Sequence, residues 1–232
     1  MAGTQAAERR GLPAAREWPG EAISLETAVA GEPSALYLGF KRACDIALSL
    51  LGIVLCLPLW ALIALAIRLD SPGPVLFRQV RPGHRGVPFG ILKFRTMYED
   101  AEERLAEVLA YNKELDHSLI RIEDDPRVTR VGRWLRKFSL DETPQFVNVL
   151  RGEMSIVGPR PISRPIPDVR GLLRLEAMPG MTGLWQINGR KNTDCKHMLE
   201  LDMRYLRERG VLLDLSIMLM TVWAVLRGTG AD

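Results

Sequence analysis

The 232-residue sequence has few of the features that mark secreted or nucleic-acid-binding proteins. Its three cysteines are too few and too scattered for a disulfide framework, so we expect reduced thiols. The 31 basic and 28 acidic residues leave a net charge of only +3, which argues against a nucleic-acid partner. With 47% apolar and 25% charged residues, the chain is neither fully disordered nor a polytopic transporter.

The familiar short signatures of catalysis are missing as well. The sequence contains no GxGxxG or GxxxxGK[ST] nucleotide loop and no GxSxG nucleophile elbow. Its histidines and cysteines do not have the spacing of zinc ligands. The chemistry of the protein must therefore depend on other arrangements of side chains.

The sequence does contain one long apolar run of 22 residues without a formal charge, Ile46 to Ile67. As a straight helix it would be about 33 Å long, enough for a bilayer core of about 30 Å. A buried helix of a soluble core is disfavoured, because a run of this length without a polar face is typical of membrane segments.

Pro58 in the middle of this run favours a re-entrant helix that is kinked at the proline. Proline removes a backbone hydrogen bond, and the two arms, about 18 and 14 Å long, are each too short to cross a bilayer. Both flanks are basic, with Lys41 and Arg42 before the run and Arg68 after it. A span would leave one basic flank outside the cell, against the positive-inside rule. A true span stays open, because prolines also occur in spanning helices.

The rest of the chain divides into a tail and a body. Residues 1–36 are rich in Ala, Gly, Pro and Glu, which predicts a mobile N-terminal tail. The predicted membrane helix occupies residues 37–70, and a cytosolic, membrane-associated domain occupies residues 71–232. Within that domain we predict a β-hairpin over Val75–Val80 and Val87–Lys93.

Helical patterns recur further along the domain. We predict helices from Glu99 to about Lys113, over residues 128–138, from a cap at Thr193 or Asp194 to about Arg209, and over Val211–Leu226. The helix over residues 128–138 carries arginines on its outer faces, which suit either solvent or a phosphate or membrane surface. The last helix is apolar and too short to span, so it suits either the membrane interface or the core. The expected fold class is α+β and mostly helical, with a small β-hairpin and amphipathic interfacial helices around a compact catalytic domain.

The segment SLDETP follows the basic helix directly. Ser139 and Glu142 have the spacing of a capping box, and Thr143 before Pro144 offers a competing cap. Either cap would place Asp141 and Glu142 at a helix N-terminus, where backbone N–H groups favour anions. Plain capping explains the motif taken alone. The cations before it and the SIVGPRP segment after it favour a phosphate site, because a carboxylate can ligate Mg²⁺ or attack phosphorus and arginine suits phosphate oxygens.

Six segments carry a resemblance to a known family. They are KRACDIALSLLGIVLCLPLW, SPGPVLFRQVRPG, FGILKFRTM, DPRVTRVGRWLRKFSLDETPQFVNVLRGEMSIVGPRP, PGMTGLWQINGR and LELDMRYL, and together they cover about residues 40–228. In these segments and in their order, the chain resembles the bacterial sugar transferase family, the monotopic phosphoglycosyl transferases that begin surface-glycan assembly on a polyprenyl phosphate. The resemblance implies a re-entrant helix, with the whole body on the cytoplasmic face of the bacterial inner membrane.

The resemblance also implies a mechanism. Asp141 and Glu142 would be the catalytic pair, with Asp141 attacking the β-phosphate of a UDP-sugar in the presence of Mg²⁺ and also acting as metal ligand. UMP would leave, and undecaprenyl phosphate would accept the sugar-phosphate from the enzyme. The expected phosphate and metal environment comprises Lys93, Arg136, Arg160 and Asp202.

Several expectations concern the wider context. The resemblance implies a minimal form without the N-terminal multi-span bundle of larger members. The segment YNKELDHSLIRIEDDPRVTRVGR is similar to members that transfer galactose or glucose phosphate in exopolysaccharide synthesis. Expected partners are a UDP-sugar, polyprenyl phosphate and membrane lipids, and a homodimer stays open. Three alternatives remain at this point: direct attack by the lipid phosphate, a catalytically inactive membrane-anchored scaffold, and a membrane-tethered nucleic-acid binder.

Overall fold

The computed structural model describes residues 33–104, 125–163, 166, 168–188 and 195–226. Helices dominate these parts of the chain, and two small two-stranded sheets lie among them. This agrees with the predicted class, mostly helical with a small amount of sheet. Nearly all of the predicted tail and most of the helix predicted from Glu99 lie outside the described residues. At the start of that helix, a single 3₁₀ turn is described, Glu99–Ala101.

Helix α1 (Ala35–Asp70) has 36 residues and a length of about 54 Å. It begins two residues before the predicted start, because the Ser34 hydroxyl accepts the Tyr37 backbone N–H and caps the first turn. It is helical on both sides of Pro58. Among the described residues it is the one helix long and apolar enough to cross a membrane, and only 11% of its most apolar 18-residue stretch is buried. That exposure is not the pattern of a soluble core helix.

One face of α1 contacts the body of the protein in its first half. The Arg42 guanidinium donates to the carbonyls of Val149 and Leu150 at 2.6 and 2.9 Å. One turn later, the Asp45 carboxylate accepts the Ile156 backbone N–H at 2.9 Å. Charged side chains therefore attach the start of α1 to the body.

The same face contacts the body again in the second half of α1. The Trp60 indole N–H donates to Thr143 Oγ1 at 2.9 Å, and Ile63 and Ile67 pack with Phe94 in a buried cluster. The body therefore reaches both halves of the helix. The large apolar side chains of α1 outside this face are exposed: Leu36, Leu38, Phe40, Leu50, Leu51, Val54, Leu55, Leu57, Leu62, Leu65 and Leu69.

The predicted hairpin is confirmed as strands β1 (Leu76–Pro82) and β2 (Pro88–Phe94), which pair antiparallel. Its connection is a 3₁₀ turn, His84–Gly86, in which Arg85 has a left-handed backbone with φ 53°. A basic amphipathic helix, α2 (Arg130–Lys137), is also confirmed between residues 128 and 138.

Two oxygen acceptors fix the start of α2. Thr129 Oγ1 accepts the Gly132 N–H at 2.9 Å, and the carboxylate of Asp70 accepts the Val131 N–H at 2.9 Å. Such contacts satisfy N–H groups that a helix start leaves without partners. Because Asp70 ends α1, this hydrogen bond also joins α1 to the basic helix α2.

The second half of the body combines short helices with a parallel strand pair. Its elements are α3 (Gln145–Arg151), β3 (Ser155–Val157), α4 (Val169–Leu173), β4 (Gly180–Thr182), α5 (Leu184–Asn188), α6 (Cys195–Glu208) and α7 (Val211–Leu226). Strand β3 pairs with β4, and residues of α6 and α7 form the largest core cluster with them. The predicted helices ending near Arg209 and Leu226 are confirmed, although the proposed caps Thr193 and Asp194 lie outside the described residues.

Helix α7 has one buried face and one exposed apolar face. Asp214 and Ile217 on one face are buried. The Asp214 carboxylate accepts hydrogen bonds from Lys41 at 2.7 Å and from the Tyr205 hydroxyl at 2.9 Å, which joins α7 to α1 and α6. The other face exposes apolar side chains: Leu212, Leu215, Leu219, Met220, Val222 and Trp223.

Candidate active site

The two predicted catalytic carboxylates lie on a 3₁₀ turn, Leu140–Glu142, between α2 and α3. The predicted cap is wrong, because neither Ser139 nor Thr143 caps the following helix with its side chain. Ser139 has a left-handed backbone with φ 54°, which interrupts the right-handed helical run. The Thr143 hydroxyl donates to the Leu140 carbonyl instead. Both carboxylates therefore precede α3 and are not part of its first turn.

Asp141 is buried among charged groups, with 9% of its surface exposed. Burial is the largest influence on its carboxyl and raises the pKa. The cations Lys93, Arg136 and Arg160 lower this pKa, and Glu142 raises it. Burial outweighs the cations, and the net shift of the pKa is upward. Within the described parts of the chain, no group donates a hydrogen bond to this carboxylate.

Glu142 holds two cations next to Asp141. Its Oε1 lies 2.7 Å from Lys93 Nζ and 3.2 Å from Arg160 Nη2. The three side chains are mostly shielded from solvent, with exposures of 16% for Glu142, 15% for Lys93 and 27% for Arg160. Burial lowers the pKa of Lys93 and the Glu142 charge opposes that effect. Glu142 thus positions both cations, which are less screened than a surface pair would be.

The two arginines around Asp141 each have a further support. Arg136 Nε donates to Thr96 Oγ1 at 3.0 Å, and the Arg160 guanidinium lies 5.7 Å from the centroid of the Trp185 ring. The structure therefore brings together five of the six predicted site residues, Asp141, Glu142, Lys93, Arg136 and Arg160.

The sixth, Asp202, lies elsewhere. It is 2% exposed on α6, and its Oδ2 accepts from Arg174 Nε at 2.8 Å and lies 2.7 Å from Arg174 Nη2. Arg174 Nη2 also donates to the Arg160 backbone carbonyl at 2.6 Å. Asp202 is thus connected to the site through Arg174 and the backbone of Arg160, a contact that suits a positioning role.

Three residues near the site were missed by sequence reasoning. Trp60 contacts the turn after the carboxylates, Arg174 supports the Arg160 backbone, and Arg81 lies beside Arg160 and Glu142. A signal existed only for Arg81: in an antiparallel hairpin, paired and alternate residues share a face, which places Arg81 on the same face as Lys93.

A narrow cleft adjoins Glu142, and the space in it, part of which is open solvent, is about 170 Å³. Its charged lining consists of Arg81, Lys93, Arg160 and Glu142, and strand β4 contributes Gly180 and Met181. Three cations and one carboxylate leave two positive charges uncompensated at this opening. This excess of positive charge favours an anionic group such as a phosphate at the opening of the cleft.

The described residues contain no cluster of three or more His, Cys, Asp or Glu side chains that could hold a metal ion by themselves. Mg²⁺ commonly takes only one or two carboxylates and completes its shell with water and substrate phosphates. Asp141, whose oxygens accept no hydrogen bond from the described residues, fits that donor set. The described residues do not form a dedicated protein cage for a metal.

Known proteins resemble this chain over most of its length. Residues 36–228 match the family model described as bacterial sugar transferase. The chain is 41% identical over 198 residues to the galactosyl transferase CpsE of Streptococcus agalactiae, covering 82% of this chain and 43% of that protein. It is 43% identical over 197 residues to the undecaprenyl-phosphate glucose phosphotransferase of Komagataeibacter xylinus, covering 78% and 35%.

A shorter relative is matched over most of its own length. The chain is 38% identical over 197 residues to the exopolysaccharide production protein ExoY of Sinorhizobium fredii, covering 82% of this chain and 87% of that protein. The chain spans less than half of the two longer relatives. With a family match over 193 of 232 residues, the chain belongs to the bacterial sugar transferase family.

Proposed function

We propose that the protein transfers a hexose-1-phosphate from a UDP-sugar to undecaprenyl phosphate and releases UMP. The observation that carries this proposal is the buried Asp141 carboxyl with Lys93, Arg136 and Arg160 around it. The names of relatives support the lipid acceptor, because they include undecaprenyl-phosphate glucose and galactose phosphotransferases. The reaction would be an early membrane step of exopolysaccharide or other glycoconjugate synthesis, at the cytoplasmic face of the bacterial inner membrane.

The proposed reaction has two displacement steps at one phosphorus. In the first, an Asp141 oxygen attacks the β-phosphorus of the UDP-sugar, the bond to the bridging oxygen breaks, and UMP leaves with that electron pair. In the second, an oxygen of undecaprenyl phosphate attacks the same phosphorus and releases the Asp141 carboxylate. The products are UMP and undecaprenyl-diphospho-sugar, and the enzyme returns to its starting state.

The cations around Asp141 have a clear task in both steps. Lys93 and Arg160, held by Glu142, would face the oxygens of the transferring phosphoryl group, and Arg136 would face the same group from α2. Because these cations oppose the upward shift of the Asp141 pKa, they also favour its reactive, deprotonated form. When bound, Mg²⁺ would neutralise phosphate charge, with Asp141 and the donor phosphates as its ligands.

We further propose that α1 enters the membrane from the cytoplasmic side and returns to it, with the kink at Pro58. The support comes from contacts at both ends of the helix, with Lys41 and Arg42 joined to the body at one end and Asp70 at the other. A helix that crossed the bilayer would separate these polar contacts by about 30 Å of hydrocarbon. The exposed apolar faces of α1 and α7 would lie in the lipid.

This topology predicts that both ends of α1 react from the same side. In a chain whose native cysteines are replaced by alanine, Leu36→Cys and Leu69→Cys should each react with a membrane-impermeant maleimide in inverted vesicles but not in intact spheroplasts. Both positions are open to a reagent, with exposures of 84% and 79%. Arg85→Cys on the hairpin turn provides the cytoplasmic reference. Labelling of either helix end from outside would show a spanning helix.

The activity itself is tested by a panel of UDP-sugars with undecaprenyl phosphate and Mg²⁺. We expect one UDP-hexose, with glucose and galactose as the first candidates, to yield UMP and a radiolabelled sugar that partitions into organic solvent. The measurement is UMP release by the full-length chain in lipid nanodiscs. A chain that is folded and membrane-bound but releases UMP from none of the donors would support the scaffold alternative.

A further inference from the structure

Among the charged side chains described around the cleft, Arg81 is the one whose hydrogen bonds go to neutral acceptors. Its Nη1 donates to the Pro161 carbonyl, and its Nε and Nη2 donate to Gln79 Oε1 at 3.2 and 2.9 Å. Lys93 and Arg160, in contrast, share one carboxylate. Arg81 is therefore a cation at the cleft with donors to spare and no acidic hydrogen-bond partner among the described residues.

The surroundings of Arg81 favour an anionic ligand. Burial lowers the pKa of its guanidinium to about 10, Arg160 acts in the same direction, and Glu142 opposes both. A partly buried cation beside a second cation is unfavourable until an anion compensates its charge. Arginine also presents a planar fork of N–H groups that matches phosphate oxygens.

The hairpin fixes where this cation lies relative to the nucleophile. Lys93 is opposite Phe77 and Arg81 is opposite Phe89, so the two cations share a face and are four positions apart, about 13 Å along the strands. Glu142 lies at the Lys93 end of this row, 2.7 Å from Lys93 Nζ, and Asp141 is its neighbour in the same turn. Both long side chains line the same cleft.

A UDP-sugar whose β-phosphorus faces Asp141 has its α-phosphate one bridging oxygen further along the cleft. We infer that the Arg81 guanidinium binds the α-phosphate of the donor and, after transfer, the phosphate of the leaving UMP. This inference rests on the proposed function and adds a leaving-group site to it. When the bond between the β-phosphorus and the bridging oxygen breaks, that oxygen and its electron pair stay with UMP. Arg81 lies where this negative charge increases.

The test measures how strongly UMP and uridine each inhibit transfer of the radiolabelled sugar-phosphate to undecaprenyl phosphate by the full-length chain. Arg81→Gln should weaken inhibition by UMP about tenfold to a hundredfold, the loss expected for one charge-assisted hydrogen bond. Inhibition by uridine should stay the same, because uridine has no phosphate. Arg81→Lys should fall between the wild type and Arg81→Gln, since it keeps the charge and loses the fork.

Arg78→Gln is the matched control, because Arg78 is on the same strand but on the opposite face of the hairpin and is exposed. It should keep the wild-type constants for both inhibitors. The inference is overturned if the inhibition constant of UMP for Arg81→Gln is within about twofold of the wild-type value. It is also overturned if inhibition by UMP and inhibition by uridine weaken equally, as a general loosening of the Pro161 loop would cause. Failure of the proposed function would appear differently, as a wild-type chain that releases no UMP at all.

Discussion

Replacing Asp141 by asparagine is expected to lower UMP release from the UDP-sugar by at least about a thousandfold. An amide cannot form the acyl phosphate that the proposed mechanism requires. The two side chains have nearly the same shape, and no described group donates a hydrogen bond to the Asp141 carboxylate that the amide would lose. The variant should therefore fold and bind membranes while it loses turnover. The measurement is the rate of UMP release in nanodiscs, together with flotation on liposomes.

The matched control is Asp100→Asn, which removes the same charge from a carboxylate that is 55% exposed and outside the site. It should retain wild-type turnover and membrane binding. If Asp141→Asn kept more than about a tenth of the activity, Asp141 would not be the nucleophile. Direct attack by the lipid phosphate would then become the better mechanism.

The largest effect on stability is expected from Asp202→Ala, at about 3–5 kcal/mol. Asp202 and Arg174 are 3% and 2% exposed at their side chains, so removal of the carboxylate leaves an uncompensated guanidinium in the interior. The same substitution should loosen the contact between Arg174 and the Arg160 carbonyl, and activity should fall even where the variant stays folded. The measurement is denaturant unfolding of the purified chain in detergent.

Glu208→Ala is the control for this effect, because it breaks an Arg–carboxylate pair on the same helix α6. The Arg204 and Glu208 side chains are 56% and 48% exposed. Loss of this ion pair should lower the free energy of unfolding by about 0.5 kcal/mol or less. If the two variants were destabilised to the same small extent, water would have access to the Asp202 pair. Its proposed positioning role would then lose its basis.

Local patterns predicted the elements whose signals lie within one stretch of chain. The apolar run around Pro58 predicted α1, alternation of apolar residues around PGHRG predicted the hairpin, and helical spacing from Val128 to Phe138 predicted α2. In each case the pattern and its turn residues lie within about forty positions. The ends of these elements were predicted less accurately. Helix α1, for example, begins at Ala35, two residues before the predicted start, because Ser34 caps it there.

The site was predictable in part, because five of its residues lie in segments that resemble a family. What local reasoning could not supply was their arrangement. Ser139 has the sequence of a helix cap, but its left-handed backbone interrupts the chain after α2, and the carboxylates lie on a separate 3₁₀ turn before α3. Asp202 and Arg174 are 28 positions apart, and nothing in either segment alone indicates their pairing.

Arg81 and Trp60 illustrate the same limit. The role of Arg81 depends on the register of the hairpin and on the packing of β1 against the Pro161 loop. Trp60 lies in an apolar run typical of lipid-facing residues, yet its indole N–H donates to Thr143, beside the turn that carries Asp141 and Glu142. The contacts of both residues depend on how distant segments of the chain pack, which the hydrophobic periodicity and composition of a single segment do not specify.

The central claim, that Asp141 carries the sugar-phosphate during the reaction, is tested most directly by labelling the protein without a lipid acceptor. The full-length chain is incubated with Mg²⁺ and a UDP-sugar radiolabelled at the β-phosphorus, then quenched and digested for peptide mapping. The covalent mechanism predicts label on the peptide that contains Asp141, about one UMP released per labelled chain, and loss of the label when undecaprenyl phosphate is added. An active enzyme that acquires no label, or acquires it on another peptide, would exclude Asp141 as the nucleophile.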